Sequence, residues 1–344
     1  MSTKAKLPFA DLSAHLLDWY AVTARDLPWR VGPTDRANGV KADPYRVWLA
    51  EIMLQQTTVP HATRYYLAFT QRWPKVTDLA AASDADVMAA WAGLGYYARA
   101  RNLLKCAREV AALGAWPDTV EGLRKLPGIG PYTAGAVGAL AFNRPAAAVD
   151  GNVDRVFARL MALKGEWKAE KEVIKTTVQT LVPADRPAEF AEALMDLGAT
   201  VCTPKSPNCL ICPLIKMCAG RAEGDPARYP IKPKKKAVPT RYGHVYIAVD
   251  NTGGILTERR PDKGLLGGML GLPTSDWTEG KRPDPAFPLN ADWKQAGEVR
   301  HVFTHFALEL IVWRADVGGA QGWMSQDDIA DGLPSVFGKG LNKL

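Results

Sequence analysis

Three groups of residues in this chain have the types and spacing to do chemistry. Cys202, Cys209, Cys212 and Cys218 run in C-x6-C-x2-C-x5-C order. Clustering bare thiols brings no packing benefit, so the set reads as a metal centre. Zinc is the generic occupant of four cysteines, and the spacing alone does not exclude it. Glu51 stands inside the apolar run PYRVWLAEIMLQQTTVP. Desolvation favours the neutral carboxyl there, the form a general acid needs at neutral pH, although a structural Glu paired with an arginine is the plainer alternative. Asp150 follows the turn Leu-Pro-Gly-Ile-Gly-Pro, between apolar Ala148-Val149 and Gly151-Asn152. A carboxylate in that place suits chemistry on a nucleic-acid sugar or backbone, and it equally suits the cap of a following helix.

The elements that must position these residues can be read from the same segments. Gly128 and Gly130 can both take φ > 0, and Pro131 suits a first helical turn. The run therefore predicts a tight hairpin between a helix ending near Lys125 and one from Pro131 to about Phe142. Backbone N–H groups in such a turn, with a helix N-terminus behind them, welcome a phosphate. Residues 1–220 read as helical throughout. The proline- and lysine-rich stretch 221–240, with Lys232, Lys234, Lys235 and Lys236, reads as an extended linker. Strand-like runs follow in 241–344 (YGHVYIAVD, GILTERR, VRHVFTHFALELIVWRADV), which makes a second, α+β domain. Cys106, on the apolar-patterned NLLKCAREVAAL, reads as a buried small hydrophobe.

A length of 344 residues with 47% hydrophobic content supports two or three cores. The net charge of +7 favours a polyanionic partner. No apolar run reaches membrane-spanning length, and the opening residues lack a signal-peptide core, so a cytoplasmic protein with no membrane association is expected and disulfides are not.

Taken together, LPGIGPYTAG followed by VDGNVDR, the cysteine spacing and the AEIMLQQT helix resemble the helix-hairpin-helix DNA glycosylase superfamily of endonuclease III. The C-terminal half resembles the MutT-like (Nudix) domain appended in its MutY adenine glycosylase branch. The resemblance implies an all-α helix-hairpin-helix domain carrying a [4Fe–4S] cluster on the four cysteines. Lys205, Lys216 and Arg221 would turn positive charge towards phosphate.

The same resemblance implies the site. Glu51 aligns with the proton donor that acts on adenine N7. Asp150 would stabilise or capture the oxocarbenium-like sugar, and Asn152 would orient the catalytic groups. Tyr132 stands where endonuclease III has a Schiff-base lysine, which implies a monofunctional glycosylase rather than one that also nicks the strand. Gln56 and Tyr96 match intercalating positions, Gly128 and Gly130 the phosphate-binding turn, and Trp29 with Arg30 the wall of the adenine pocket. In the second domain Phe303, Thr304 and His305 match a loop that probes 8-oxoguanine. No Glu-rich helix follows Gly268, so phosphohydrolase chemistry is not expected. The implied substrate is double-stranded DNA with A:8-oxoguanine or A:G mispairs, handled by a nucleoid-associated monomer. A bifunctional pyrimidine glycosylase and a catalytically silent iron–sulfur DNA-binding protein are the rivals, the first opposed by Tyr132 and the second by the joint presence of Glu51 and Asp150.

Overall fold

The computed structural model describes residues 9, 11–231, 238–261, 264–303, 305–330 and 332–343. The chain folds as two compact units. One comprises Met1–Ala82 and Arg101–Lys234, and the other Ser83–Ala100 and Lys235–Leu344. The division thus falls inside the proline- and lysine-rich stretch, while Ser83–Ala100 groups with the second unit although its chain neighbours on both sides belong to the first. The four lysines of that stretch lie outside the described residues.

The described part of the first unit is helical. Proline at the first or second position opens the helices Pro33–Ala37, Pro44–Met53, Val59–Arg72, Pro131–Phe142 and Pro187–Asp196, where a missing N–H costs nothing. Two of these are nearly surrounded. In Pro44–Met53 every residue from Val47 to Met53 is buried, and in Pro131–Phe142 every residue from Thr133 to Leu140 is. They pack on each other, and Pro187–Asp196 packs on the second of them. Small residues allow this closeness. A Cβ added at Gly135 would stand 2.5 Å from the Ala147 carbonyl oxygen, so the chain leading to Asp150 passes directly over this helix.

The hairpin is present, with helices Val120–Leu123 and Pro131–Phe142 on either side of the turn. Gly128 has φ +75°. Gly130 does not take the expected positive φ: it stands at φ −82°, ψ 177°, as the cap of the Pro131 helix. The reason is local, because a residue before proline is driven into the extended region.

Among its described residues the second unit carries eight strands: β1 (Thr240–Asp250), β2 (Gly254–Ile255), β3 (Glu258–Arg259), β4 (Leu270–Gly271), β5 (Thr278–Glu279), β6 (Lys294–Val302), β7 (Ala307–Val317) and β8 (Met324–Ser325). The main sheet runs β6-β7-β1-β2-β8, with β5 also on β1, and β3 pairs β4 separately. β1 and β7 are parallel, whereas β6 and β7 form an antiparallel hairpin closed by the Val302–Ala307 pair. Val245, Ile247, Leu308, Leu310 and Val312 supply one sheet face of the core, against which Val336, Phe337 and Leu341 of the helix Ser335–Leu341 are packed. An all-α domain followed by an α+β one is therefore what the chain forms, although GILTERR yields only the short β2 and β3. Cys106 is fully buried in the helix Ala98–Leu113, as its apolar neighbours imply.

Candidate active site

Glu51 lies in the last turns of the Pro44–Met53 helix, whose first turn is fixed by Asp43 accepting from the Tyr45 N–H. Only 6% of Glu51 is exposed. Burial pushes its carboxyl up to about 7 and outweighs the hydrogen bond donated by Tyr132 Oη to Oε2 at 2.7 Å, while the Asp150 carboxylate adds to the rise. The tyrosine comes from the second position of the hairpin helix, so the two central helices meet at this bond. Tyr132 itself is held far above the usual phenol range by burial and by Glu51.

Asp150 both caps a helix and faces the site. Its Oδ1 accepts the N–H groups of Asn152 and Val153 at 2.9 and 2.8 Å, opening the helix Gly151–Leu160. Its Oδ2 accepts Asn152 Nδ2 at 2.8 Å. Asn152 Oδ1 in turn accepts from Arg155 Nη2, which also donates to the Gly198 carbonyl at 2.7 Å. Gly198 belongs to a π-helical turn, Leu197–Val201, that widens the end of the Pro187–Asp196 helix. A Cβ on Gly198 would stand 2.5 Å from Asn152 Cβ, so the asparagine is located by close backbone approach as well as by hydrogen bonds.

Glu51, Tyr132, Asp150 and Asn152 line one cavity of about 450 Å³. Trp29, Arg30 and Gln56 line it too, so the structure brings seven of the expected residues together. Beneath them lies a charge cluster that sequence reasoning missed. Arg30 donates to Asp196 at 2.8 Å and stands 4.0 Å from Glu192, which accepts from Tyr20 Oη at 2.9 Å and from Arg36 at 3.4 Å. Burial keeps the Glu192 carboxyl above its usual range despite the two arginines. Arg30 is held above its own range because these two carboxylates overcome the effect of burial. The available signal resembled the one that exposed Glu51: Glu192 and Asp196 are four apart, hence on one face of a helix whose other residues are apolar except Glu189.

All four cysteines line a second, smaller cavity in the same unit. Among the described residues, no group of three or more His, Cys, Asp or Glu side chains is arranged to hold a metal ion. Among the described residues Arg159, 1% exposed, donates to Cys202 Sγ at 3.2 Å and otherwise to the carbonyls of Cys202, Thr203, Pro204 and Tyr229, with no carboxylate partner. A buried guanidinium without a carboxylate is electrically incomplete, and an anionic thiolate centre would complete it. Backbone N–H groups of Leu214, Gly220 and Arg221 also point at the Cys212 and Cys218 sulfurs. The donor set fits a thiolate-bound group spread over the four sulfurs.

Comparison with known proteins bears on this geometry. Residues 49–183 match the HhH-GPD superfamily of base excision DNA repair proteins, and residues 244–343 match the NUDIX domain. The adenine DNA glycosylase of Mus musculus is 35% identical over 370 residues, covering 88% of this chain and 71% of its own. The chain belongs to the adenine DNA glycosylase family. The Homo sapiens member is 33% identical, with 87% of this chain and 65% of its own covered. A thermostable thymine-DNA glycosylase superposes with a TM-score of 0.55 at 28% identity, over 63% of this chain and 97% of that one.

Gln56 lies at the exposed edge of that cavity, and the remaining residues expected from the family resemblance fall elsewhere. Gln56 is exposed with φ +63°, and Tyr96, in the second unit, is 53% exposed with φ +50°. Lys205, Lys216 and Arg221 are exposed on and beside the cysteine loop. Phe303 and His305 lie in the turn between β6 and β7, closed by the Phe303 N–H donating to the Phe306 carbonyl at 2.8 Å. His305 is exposed, whereas Phe303 stacks on Trp277 with ring centroids 6.1 Å apart. Thr304 lies outside the described residues. No helix among the described residues is long and apolar enough to cross a membrane.

The raised pKa of Glu51 has a consequence for stability. Between the ordinary value of 4.5 and about 7, folded Glu51 keeps a proton that the unfolded chain releases. Stability present below that window is therefore lost across it, by roughly 3 kcal/mol at about 1.4 kcal/mol per unit. Glu51→Gln removes the loss. Urea unfolding at pH 5 and pH 8 should show the variant gaining on the parent at the higher pH, and parallel curves would mean that the carboxyl is not shifted.

Proposed function

We propose that this chain removes adenine mispaired with 8-oxoguanine, and with guanine, from double-stranded DNA by hydrolysing the N-glycosidic bond, as a step of base excision repair. The observation that carries the reading is a buried carboxyl near pKa 7 sharing one cavity with a helix-capping carboxylate. An adenine leaves poorly as an anion, so Glu51 gives its proton to N7 as the C1′–N9 bond breaks. The sugar becomes oxocarbenium-like, and Asp150 stabilises or transiently captures it. Water adds at C1′, its proton returns to a carboxylate, and an abasic site remains. Tyr132 holds Glu51 in position, and Asn152 holds Asp150. Trp29 and Arg30 wall the adenine, while the carboxylates of Glu192 and Asp196 fix the arginine. No amine stands at Tyr132 to form a Schiff base, so the strand is left uncut.

The base reaches the cavity only by leaving the duplex. Gln56 and Tyr96, exposed side chains on left-handed backbone, fill the space it vacates, and the Gly128–Gly130 turn grips a phosphate. Gly130 suits this by openness rather than by φ, since a Cβ there would meet nothing within 4 Å. Cys202, Cys209, Cys212 and Cys218 would hold a [4Fe–4S] cluster, which supplies a covalent brace to the loop that carries Lys205 and Lys216. Residues 1–220 act as the glycosylase domain, 221–240 as the linker, and 241–344 as the reader of 8-oxoguanine through Phe303, Thr304 and His305. The protein works as a monomer, at the nucleoid.

These assignments are open to direct measurement. Single-turnover adenine release from an A:8-oxoguanine duplex should be flat below pH 7 and fall about tenfold per unit above it, because the acid must be protonated. Glu51→Gln and Asp150→Asn should abolish release while duplex binding persists, and the product strand should stay intact until alkali is added. Near-normal turnover in either variant sinks the mechanism. Purified protein should contain about four iron and four sulfide per chain, with broad visible absorption, and stoichiometric zinc in colourless protein would reverse the cluster assignment. Replacing Thr304 and His305 together by alanine should lower the ratio of release from A:8-oxoguanine over A:G by at least about tenfold, since each polar base contact is worth on the order of 1–3 kcal/mol. An unchanged ratio would remove the turn from recognition.

A further inference from the structure

We propose that Arg99 is a positioning residue that holds Tyr96 in its wedge conformation before DNA arrives. The inference rests on the reading of Tyr96 as a residue that enters the base stack. Tyr96 occupies the turn after the helix Asp84–Ala90, where Gly93, Gly95 and Tyr96 all have positive φ, at 93°, 68° and 50°. Glycine accepts that region freely, but a tyrosine does not. The residue is also 53% exposed, so burial contributes little to hold it there. Left to itself the turn would relax, and the tyrosine would be offered to DNA only part of the time.

Arg99 supplies the restraint. Its Nη2 donates to the carbonyls of Leu94 and Gly95 at 3.1 and 3.2 Å, so one guanidinium edge ties two consecutive peptides of the turn. Its backbone N–H donates to the Tyr96 carbonyl at 2.8 Å. Its Cζ stands 5.3 Å from the Trp91 ring centroid and 5.4 Å from that of Tyr96. Trp91 is fully buried, and its Nε1 donates to the Gly95 carbonyl at 3.0 Å. The guanidinium therefore bridges an immobile indole to an exposed phenol while its N–H groups hold the strained peptides between them. The planar guanidinium can lie over the aromatic faces while one of its nitrogens, Nη2, donates in its plane to both carbonyls; a compact, more strongly hydrated lysine ammonium combines the two less well. Ordering the wedge in advance removes that cost from the complex with DNA.

The full-length Glu51→Gln protein, which binds without turnover, allows the wedge to be watched directly. The probe is an A:8-oxoguanine duplex with 2-aminopurine beside the adenine, which brightens when its neighbour unstacks. Arg99→Gln should lose most of that brightening while duplex binding persists, and Arg99→Lys should keep a fraction of it. With Glu51 restored, Arg99→Gln should slow adenine release about tenfold and leave the pH midpoint unmoved, a split that damage to the acid itself would not produce. A folded Arg99→Gln protein with the parent's full brightening overturns the proposal. Should that variant fail to fold, Arg99→Lys decides, since full brightening there overturns it equally. Tyr96→Ala separates the two readings: if it brightens normally, the wedge assignment falls and this inference with it. If it is dark while Arg99→Gln is bright, only the role of Arg99 is wrong.

Discussion

Placing the Glu51 carboxyl among the apolar side chains of the Pro44–Met53 helix sets the conditions that its surroundings have to meet. In water the group would be ionised at neutral pH, and burial is what keeps a proton on it up to about 7. That burial needs helices packed on every side, and the Pro131–Phe142 helix achieves it with glycines and alanines where larger residues would force a gap. The same helix brings Tyr132 to the carboxyl. The proton-retaining carboxyl and the hydroxyl that donates to it are thus consequences of one helix pair approaching closely.

The charges beneath the cavity follow a different logic. Arg30, Glu192 and Asp196 are nearly inaccessible, and buried ion pairs are poor sources of stability because desolvation cancels most of their attraction. What such a group does provide is fixed geometry. Two carboxylates hold Arg30 against the cavity wall, and the Tyr20 hydroxyl steadies one of them, so its position does not depend on a ligand. Each carboxylate also has a second arginine, Arg25 on Asp196 at 2.7 Å and Arg36 on Glu192 at 3.4 Å, so the pocket floor is tied to several elements of the fold at once.

A continuous set of hydrogen bonds runs from Asp150 through Asn152 and Arg155 to the Cys202 carbonyl, where Arg155 Nε donates at 2.9 Å. Arg159, one turn further along the same helix, organises the start of the cysteine loop. The helix that Asp150 caps therefore has a cavity-lining carboxylate at its head and the cysteine loop along its flank, and whatever braces the loop also braces the carboxylate.

Much of this was legible in the sequence because the signals were local. A lone carboxyl in an apolar run marks Glu51, four cysteines between positions 202 and 218 mark their own loop, and the Pro131 start and the β6–β7 turn follow from residue types at short spacing. Even the extended Gly130 was implied by the proline after it. Tertiary structure alone decided the rest. Arg30 meets Asp196 across 166 positions and Arg36 meets Glu192 across 156, separations at which no periodicity carries information. That Asp150 caps a helix and also lines the cavity depends on the Ala147 carbonyl crossing Gly135. That Ser83–Ala100 groups with the second unit rather than with its chain neighbours is likewise a tertiary outcome. Sequence pattern reports which face of an element is apolar; which distant face it meets is settled only when packing brings the two together.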